Sequence, residues 1–389
     1  MKKVKTLRCN YEMLNPTIVS GDNCYVIDEK GRKYLDFESG VWCTALGHNN
    51  AQVNEAIINQ LKDISHTGYR YTTKVVDEAA EKVLELLHFN EGKCVFLSSG
   101  SEAVEFGVQL AKRIMGKPCF LCLNNYFLSS YGISAMRSGE EWISLDLSEY
   151  NGNIDDLLKD IPFDRIGAFV FEPGNASGTV KLPPKEVVKK IADKVQSNGG
   201  IIVVDEVTTG TGRTGKWFGF EHYDICPDII SMGKGIGNGY PVSVIALSKQ
   251  VADAAEKSGF KYAQSHQNDP LGCAVVKTVV SIIQNNNLIQ RASEMGSVLS
   301  SELRSLLKRH ECIQEVRGIG LMMAIEFNKD NNFPLEKIHR DLFDAGYITG
   351  FHAVANLLRF YPPLTIEEVQ IKSMVSALDE ILLRYEKWG

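Results

Sequence analysis

Seven short runs of apolar, β-favouring residues constrain the fold of this chain more than any other feature of its sequence. They cover residues 94–98, 119–123, 142–146, 167–171, 201–204, 228–232 and 243–247. Their apolarity is continuous instead of alternating, which is typical of strands buried on both faces and therefore of a largely parallel sheet. Helical patterns such as 102–115 and 183–200 lie between the runs. This alternation predicts an α/β domain with helices on both faces of the sheet.

The alternation ends near residue 285, and a different pattern follows. Amphipathic helices are predicted at 288–309, 334–346 and 365–386, with a short-strand region at 320–327, which together indicate a smaller α+β domain. Residues 1–45 read as an extended arm with a hairpin in CYVIDEKGRKYLDF, where Glu-Lys-Gly makes a plausible turn. The expected division is an N-terminal arm at 1–45 that belongs partly to the small domain, a large domain at 46–285 and the small domain at 286–389.

Charge and cysteine content exclude several classes of protein. The formal net charge of the 389 residues is −6 and no long basic run occurs, so nucleic acid is not expected as a partner. No window approaches the ~20 apolar residues of a membrane span, and the N-terminus lacks the apolar stretch of a signal peptide, which predicts a cytoplasmic protein. The nine cysteines are scattered, and the C-x-x-C of Cys119 and Cys122 has no second pair. Reduced thiols and no metal site are therefore expected.

The segment LSSGSEA at 97–103 is the first feature with chemical meaning. A strand ends at Leu97, Ser-Ser-Gly-Ser turns the chain and a helix begins at once. Backbone N–H groups at the positive end of that helix, together with the hydroxyl of Ser101, would cradle a phosphate. The same Ser-x-x-Glu spacing is also a plain helix capping box, so this segment alone leaves both interpretations open.

Two carboxylates, Asp205 and Glu206, stand at the carboxyl end of the buried run at 201–204. Ligands of open α/β sheets bind at that edge. A lone carboxylate there could bind Mg²⁺ or cap the next turn. Pyridoxal 5′-phosphate (PLP) chemistry, however, needs an anion that keeps the pyridine nitrogen protonated, so that the ring accepts electrons from the substrate. Asp205 is the natural residue for that role, with Val207 packing on the ring face.

A glycine-rich loop, GKGIGNG at 233–239, follows the run at 228–232 and contains Lys234. Glycines on both sides would let the lysine approach a flat cofactor closely, and partial burial would favour the deprotonated amine. The spacing does not fit a Walker loop, although a surface lysine remains an alternative for this loop alone. In the C-terminal region, Arg359 of RFYPPL offers a planar fork for a substrate carboxylate or forms an ordinary salt bridge.

The order of these features resembles that of the PLP-dependent enzymes of fold type I, and more narrowly the class III aminotransferases. The matching segments are YVIDEKGRKYLDFESG (25–40), LGHNN (46–50), SGSEA (99–103), DEVTTGTGRTG (205–215), PDIISMGKGIGNGYPV (227–242), NDPLGCA (268–274) and LRFYPPLT (358–365). The resemblance implies a large domain with a mostly parallel seven-stranded sheet and a smaller α+β C-terminal domain. It also implies a PLP enzyme that moves an amino group between an amino acid or amine and a 2-oxo acid.

The resemblance assigns roles to individual residues. Lys234, which holds the cofactor as a Schiff base and moves a proton, and Asp205, which pairs with the pyridine nitrogen, are the expected catalytic residues. The other expected cofactor-binding residues are Gly100, Ser101, Tyr126, Glu172, Val207 and Ser265. Tyr126 would stack on the ring, and Ser265 would reach the phosphate of a neighbouring subunit, which implies a homodimer with shared sites. Trp42 and Arg359 are expected at the substrate.

Several positions depart from the family pattern. The family's Thr-Phe-Gly-Gly-Asn-Pro stretch reads SHQNDP at 265–270, and the resemblance implies that His266, Gln267 and Asp269 put polar groups beside the cofactor phosphate and the dimer interface. Ser129 stands where some members have an arginine for a substrate carboxylate, and Ser177 where some have a glutamate that pairs with the arginine at position 359. Thr208 stands where glutamine is common. These changes argue against ornithine-like and acetylornithine-like specificity. Because the same fold also hosts racemases, epimerases and aminomutases, those reactions remain the alternative.

Overall fold

A seven-stranded sheet forms the centre of the molecule. The computed structural model describes residue 7 and residues 16–148, 150–175, 178–328 and 334–386. The strands are β1 (Ile18–Asp22), β2 (Tyr25–Asp28), β3 (Lys33–Asp36), β4 (Lys93–Leu97), β5 (Cys119–Leu123), β6 (Trp142–Leu145), β7 (Ile166–Phe171), β8 (Ile201–Asp205), β9 (Ile229–Met232), β10 (Ser243–Leu247), β11 (Ile313–Ile319), β12 (Met322–Phe327), β13 (Tyr347–Ile348), β14 (Gly350–His352) and β15 (Leu357–Phe360). The helices are α1 (Ser39–Trp42), a single turn, α2 (Ala51–Asp63), α3 (Lys74–Leu87), α4 (Gly100–Met115), α5 (Gly132–Met136), α6 (Ile154–Leu158), α7 (Lys185–Ser197), α8 (Lys249–Ser258), α9 (Pro270–Asn285), α10 (Leu288–Leu307), α11 (Leu335–Asp344) and α12 (Glu368–Glu386).

All seven predicted runs are strands of this one sheet. Its order is β4-β10-β9-β8-β7-β5-β6. Every neighbouring pair is parallel except those of β10, which is antiparallel to β4 and to β9. A short loop without a crossover helix joins β9 to β10, and such a loop can only connect antiparallel neighbours. The prediction of a mostly parallel, seven-stranded sheet is confirmed.

Helices cover both faces of the sheet, as the continuous apolarity of its strands requires. In β10, Ile245 and Leu247 pack into a core with helices α4 and α7. Their neighbours Val244 and Ala246 point the other way, into a core with α3 and α9. Because each large apolar side chain contributes roughly 1.5–3 kcal/mol when it is fully buried, this sandwich is the main source of stability in this part of the chain.

The C-terminal part of the chain has its own antiparallel sheet, in the order β11-β12-β15-β14. Helices α10 and α12 pack on it through one common core. The predicted hairpin of the first 45 residues is present as β2 and β3, with Gly31 at a positive φ in the turn. Strand β3 then pairs in parallel with β13, so the first hairpin shares a sheet with residues 347–348.

The cysteines of the described residues are free, as expected for reduced thiols. Cys119 and Cys122 lie buried in β5, where they behave as small core residues. Ser177 lies outside the described residues, so its predicted neighbourhood has no structural description here. Among the helices that the structure describes, none is long and apolar enough to cross a membrane.

Helix α10 touches the β11–β12 turn through two glycines. A Cβ added to Gly296 would lie 2.5 Å from the carbonyl carbon of Gly320, and one added to Gly320 would lie 2.5 Å from the carbonyl carbon of Thr214. Gly320 also has a φ of +57°. Three backbone segments are therefore in direct contact. The contacting atoms are backbone atoms, which cannot move aside as the end of a flexible side chain could.

We predict that Gly296→Ala lowers the stability of the protein by about 1–3 kcal/mol, because the new methyl group must push two backbones apart. The shift of the urea unfolding midpoint measures this loss. Ser297→Ala is the matched control, since Ser297 is exposed on the same helix and should change stability by less than about 0.5 kcal/mol. Equal midpoints for Gly296→Ala and wild type would contradict the close approach.

Candidate active site

Four of the predicted site residues lie at the carboxyl edge of the parallel strands. Asp205 ends β8, Glu172 follows β7, Lys234 comes two residues after β9 and Tyr126 comes three residues after β5. Because parallel strands present their carboxyl ends at the same edge, the sheet brings these residues together, at the edge where open α/β sheets bind ligands. Asp205 is also paired in register with Ser231 of β9, three residues before Lys234.

The start of α4 lies against the loops that carry Val207 and Lys234. A Cβ on Gly100 would lie 2.5 Å from Cγ1 of Val207, and a Cβ on Gly233 would lie 3.1 Å from Cα of Gly100. Only glycine permits this approach. The predicted phosphate turn, the predicted ring-packing valine and the residue before the lysine are thus in van der Waals contact.

The structure shows the helix cap of the Ser-x-x-Glu segment, and its phosphate role stays a prediction. Helix α4 begins at Gly100, and Ser99 caps it, because its Oγ accepts the Glu102 N–H at 3.2 Å and its carbonyl accepts the Ala103 N–H at 3.0 Å. Those two bonds use the third and fourth N–H groups of the helix. The N–H groups of Gly100 and Ser101 stand at the positive end of the helix, the arrangement that suits a phosphate. Ser101 Oγ accepts the Ser130 N–H at 3.0 Å.

The amine of Lys234 is held in a dry environment. Nζ donates a hydrogen bond to Thr208 Oγ1 at 2.7 Å. Burial lowers the pKa of Lys234, and the nearby carboxylates of Asp205 and Glu172 only partly oppose that shift. An amine with a lowered pKa is closer to the neutral form that attacks a carbonyl or accepts a proton.

The two adjacent carboxylates that the sequence placed at this edge have different surroundings. Asp205 accepts the Val207 N–H at 2.9 Å, and burial raises its pKa to about 7 while the charge of Lys234 lowers it. Glu206 turns the other way and holds a distant loop, accepting the N–H groups of Gly219 at 2.9 Å and Phe220 at 2.7 Å. Asp205 therefore fits a cationic ring nitrogen, which would lower its pKa and keep it ionised.

Tyr126 and Glu172, which follow β5 and β7, are both buried at this edge of the sheet. Tyr126 is buried, and its hydroxyl has no hydrogen-bond partner among the described residues. Burial, followed by the charge of Glu172, raises the pKa of Tyr126 well above its ordinary value. Glu172 is itself buried and also acts electrostatically on Lys234. Glu172 therefore acts on both Tyr126 and Lys234, and the stacking role of Tyr126 stays a prediction.

Trp42 connects Lys234 to the C-terminal sheet. Its ring centroid lies 4.8 Å from Nζ of Lys234 and 5.1 Å from Cζ of Arg359, and 5.2 Å from the ring of Tyr361. A tryptophan face attracts cations, so the indole stabilises the Arg359 guanidinium and the protonated form of the Lys234 amine. The two residues expected at the substrate, Trp42 and Arg359, are therefore neighbours.

A left-handed turn, α1, places the Trp42 ring. All four of its residues, Ser39 to Trp42, have φ between +49° and +68°. Such a backbone costs roughly 1–2 kcal/mol per non-glycine residue. Asp36 holds it, because its two carboxylate oxygens accept the N–H groups of Glu38 at 2.8 Å and Gly40 at 2.9 Å. Strain of this kind is typical of functional sites.

Ser265 is the predicted residue that a single chain does not bring to Lys234. It is exposed in the turn before α9. The turn nevertheless lies near the phosphate segment, since the preceding Gln264 donates from Nε2 to Ser98 Oγ at 3.1 Å.

Glu38 is a residue of the site that the sequence did not reveal. Its Oε1 is buried and has no hydrogen-bond partner among the described residues. Gly350 of β14 lies opposite Arg359 of β15, and a Cβ on Gly350 would lie 2.2 Å from Glu38 Oε1 and 3.0 Å from Arg359 Cβ. Burial raises the pKa of Glu38 to about 7, and Arg359 lowers it. Glu38 therefore supplies a carboxylate near Arg359 from another part of the chain than Ser177.

Arg213 was also missed, although it lies in a quoted segment, GTGRTG. Its guanidinium is buried, and Nη1 donates to the carbonyl of Leu321 at 3.2 Å and to that of Pro362. Burial lowers the pKa of Arg213 to about 10. The only signal in the sequence was a charged residue within a run of glycine and threonine. Arg213 ties the loop after β8 to the strand that carries Arg359.

Comparison with known proteins places this arrangement in a class and then in a family. The chain superposes with a TM-score of 0.88 on the PLP-bound crystal structure of an amine transaminase from an uncultivated Pseudomonas species, at 25% identity over 98% of this chain and 99% of that one. The fold is that of the fold type I PLP-dependent transferases. The family model for class III aminotransferases matches residues 7–120 and 145–382. The chain therefore belongs to the class III aminotransferases, which depend on PLP.

Two curated relatives differ in the reaction that their names describe. The chain is 30% identical to the [LysW]-aminoadipate semialdehyde/glutamate semialdehyde transaminase of Sulfolobus acidocaldarius, over 95% of each protein. It is also 30% identical to ethanolamine-phosphate phospho-lyase homolog 1 of Caenorhabditis elegans, over 92% of this chain and 86% of that protein.

The position of Glu38 predicts a pH dependence of substrate binding. As the pH falls through about 7, Glu38 becomes protonated and its negative charge no longer competes for Arg359. We expect the KM of a carboxylate-bearing amino donor to fall between pH 8 and pH 6. In Glu38→Gln this dependence should disappear, with a KM at pH 8 about fivefold lower than in wild type, which corresponds to ~1 kcal/mol.

Steady-state kinetics at both pH values measure this effect. The matched control is Glu85→Gln, a change of an exposed glutamate that should leave the profile of the wild type. A Glu38→Gln enzyme whose KM follows the same pH profile as wild type would contradict the proposed competition.

Proposed function

We propose that Lys234 is the Schiff-base lysine of an aminotransferase that passes an amino group between an amino acid or amine and a 2-oxo acid. The observation that carries this proposal is the position of the Lys234 amine, which lies at the same sheet edge as the Asp205 carboxyl and 2.7 Å from Thr208 Oγ1. The lowered pKa of Lys234 agrees with it. A neutral amine is the nucleophile that this role needs, and a cationic ring nitrogen would lower the pKa of Asp205 again and keep that carboxylate ionised.

Bound PLP supplies a protonated pyridine ring that accepts the electrons released when a proton leaves the substrate Cα. Asp205 would hold the proton on the ring nitrogen through its carboxylate. Nζ of Lys234 would take the proton from the substrate Cα and pass it to C4′ of the cofactor. The hydroxyl of Thr208, which already bonds Lys234 Nζ at 2.7 Å, would bind the phenolic oxygen of the cofactor.

The remaining proposed contacts orient the cofactor and the substrate. Tyr126 and Val207 would enclose the two faces of the ring, and the start of α4 at Gly100 and Ser101 would hold the phosphate. Support comes from the contact of Gly100 with Val207 and from the buried, neutral phenol of Tyr126. Glu172 would lie near the cofactor on the Lys234 side.

The substrate would lie between Lys234 and the C-terminal sheet. Arg359 would bind its carboxylate and Trp42 would line its entrance, a proposal supported by the short distances from the Trp42 ring to both cations. Ser129, which stands where some members have an arginine, has an uncharged hydroxyl and supplies no second cation for another carboxylate. That hydroxyl donates to the carbonyl of Tyr131 at 2.8 Å. One carboxylate on the substrate is therefore the expected number at this site.

We further propose a homodimer with shared active sites, in which Ser265 reaches the phosphate of the other subunit. Exposed apolar side chains between residues 58 and 71 support a partner surface there, since His66 of this segment contacts Asp269 in the turn that carries Ser265. This apolar patch consists of Ile58, Leu61 and Ile64 at the end of α2, followed by Tyr69 and Tyr71. The division into an arm (1–45), a large domain (46–285) and a small domain (286–389) belongs to the same proposal, and the pairing of β3 with β13 supports an arm that joins the small domain.

PLP reactions that need no amino acceptor are the second candidate function. One relative is named a phospho-lyase, and racemases, epimerases and aminomutases also use this fold. These reactions need no 2-oxo acid acceptor, whereas transamination cannot turn over without one. A screen of amino donors with 2-oxoglutarate or pyruvate, read out on the new amino product, therefore separates the two classes. Turnover without an acceptor would favour the second class.

We expect Lys234→Ala to lose the covalently held cofactor and at least ~10³-fold of the activity, because both the nucleophile and the proton carrier are removed. Borohydride reduction followed by peptide mapping should label Lys234 in the wild type. Asp205→Asn should keep the covalent link but lose at least ~10²-fold in activity, since an amide cannot hold the charge of the ring. Lys112→Ala, a change of an exposed lysine, is the control. A label on a different lysine would refute the assignment.

The apolar patch gives a test of the dimer. Leu61→Glu should convert dimers into monomers in sedimentation velocity and reduce activity in parallel, because a charge in a buried interface is costly. Val369→Glu places the same charge on another exposed apolar position and should leave the dimer intact. A monomeric wild type, or a dimer of unchanged strength in Leu61→Glu, would count against this surface.

A further inference from the structure

Two histidines and an aspartate from distant parts of the chain meet outside the site around Lys234. His66 lies between α2 and α3, whereas His266 and Asp269 lie in the turn that leads into α9. Nδ1 of His66 is 3.2 Å from Oδ1 of Asp269, and Nδ1 of His266 is 2.9 Å from Oδ2. The two imidazole centroids are 4.7 Å apart. One ligand atom from each of the three side chains lies within 4.8 Å of the others.

Asp269 is turned toward the imidazoles instead of capping its own helix. It occupies the N-cap position of α9, with Pro270 as the next residue. Aspartate is favoured there because its carboxylate accepts a backbone N–H, which contributes ~1 kcal/mol to helix stability. The Asp269 side chain makes no such bond. Both of its oxygens are directed to the two histidines instead.

The turn that carries His266 and Asp269 is fixed to the edge of the central sheet. The N–H of Asn268 donates to the carbonyl of Phe96 at 2.9 Å, and Oδ1 of Asn268 accepts the N–H of Phe96 at 2.9 Å. Phe96 belongs to the edge strand β4. The backbone that carries His266 and Asp269 is therefore held in place before any ligand binds, which favours a defined binding geometry.

We propose that His66, His266 and Asp269 form a binding site for a divalent metal ion of the zinc class. Zinc binds imidazole nitrogen and carboxylate oxygen at roughly 2.0–2.2 Å, which requires neighbouring ligand atoms to lie roughly 3–3.6 Å apart. The two histidine–aspartate separations are already close to that range. Both imidazoles are exposed in the single chain, where they lie beside the proposed dimer surface, and rotation about their side-chain bonds can close the remaining distance.

Water would complete the coordination of the ion. A cavity of about 190 Å³ adjoins the site, and its lining includes His266, Asp269 and Ser98. That volume accommodates several water molecules, at ~30 Å³ each. With three protein ligands and open positions, the site would tie the 66–71 segment to the turn that also carries Ser265. The sequence had suggested no metal site, because His66 and His266 are 200 positions apart.

The test is a zinc titration of the full-length, PLP-loaded protein after treatment with a chelator and desalting. Competition with a chromophoric chelator should show ~1 Zn²⁺ bound per chain. His66→Ala and His266→Ala should each weaken binding at least ~tenfold, and so should Asp269→Asn, which keeps the shape but removes the charge. His88→Asn is the matched control, since His88 is exposed, lies outside the cluster and has a positive φ of 54° that asparagine tolerates.

A thermal melt provides a second readout that does not involve catalysis. Zinc should raise the Tm of wild type and of His88→Asn, and leave the Tm of His66→Ala unchanged. Melts without zinc show at the same time whether each variant is folded. Absence of zinc binding by the wild type, or equal zinc binding by the three cluster variants, would overturn the proposal. Neither result depends on the reaction at Lys234, so the proposed function would stand.

Discussion

The removal of two opposite charges from water at one edge of the central sheet is the constraint on which the rest of the site depends. Asp205 and Lys234 follow neighbouring parallel strands, β8 and β9, so the sheet itself carries them to the same place. Burial raises the pKa of Asp205 to about 7 and lowers the pKa of Lys234. The lowered pKa brings the Lys234 amine closer to the neutral form that attacks a carbonyl carbon, whereas a cationic ring nitrogen beside Asp205 would lower the pKa of that carboxyl again and keep it ionised.

A second set of contacts joins this edge to the C-terminal sheet. Arg213 reaches from the loop after β8 to the carbonyls of Leu321 and Pro362. The left-handed turn at Ser39–Trp42 is held by Asp36 and by a hydrogen bond from Ser39 Oγ to the Tyr361 carbonyl at 2.5 Å. The left-handed turn and the guanidinium of Arg213 therefore bond neighbouring carbonyls, those of Tyr361 and Pro362, in the segment that directly follows β15. The position of Trp42 between Lys234 and Arg359 is a consequence of that support.

Much of the fold was accessible from local patterns. Each of the seven apolar runs became a strand of one sheet, because continuous apolarity demands cover on both faces, and helices on both sides supply it. The antiparallel direction of β10 was not predicted, since it depends on the path of the Lys234 loop and not on the apolarity of the strand. Likewise the hairpin of β2 and β3 was predicted, whereas its pairing with β13, more than 300 residues later, was not.

The sequence by itself determined the kind of chemistry that this chain supports. Asp205 at a strand end, Lys234 between glycines and the turn at Gly100 and Ser101 are local signals, because each depends only on the residues beside it. Tertiary structure alone decided that Trp42 stands between Lys234 and Arg359, that Glu38 lies near that arginine, and that His66 meets Asp269. These contacts join segments far apart in the chain, and their distances follow from how the sheets and helices pack together.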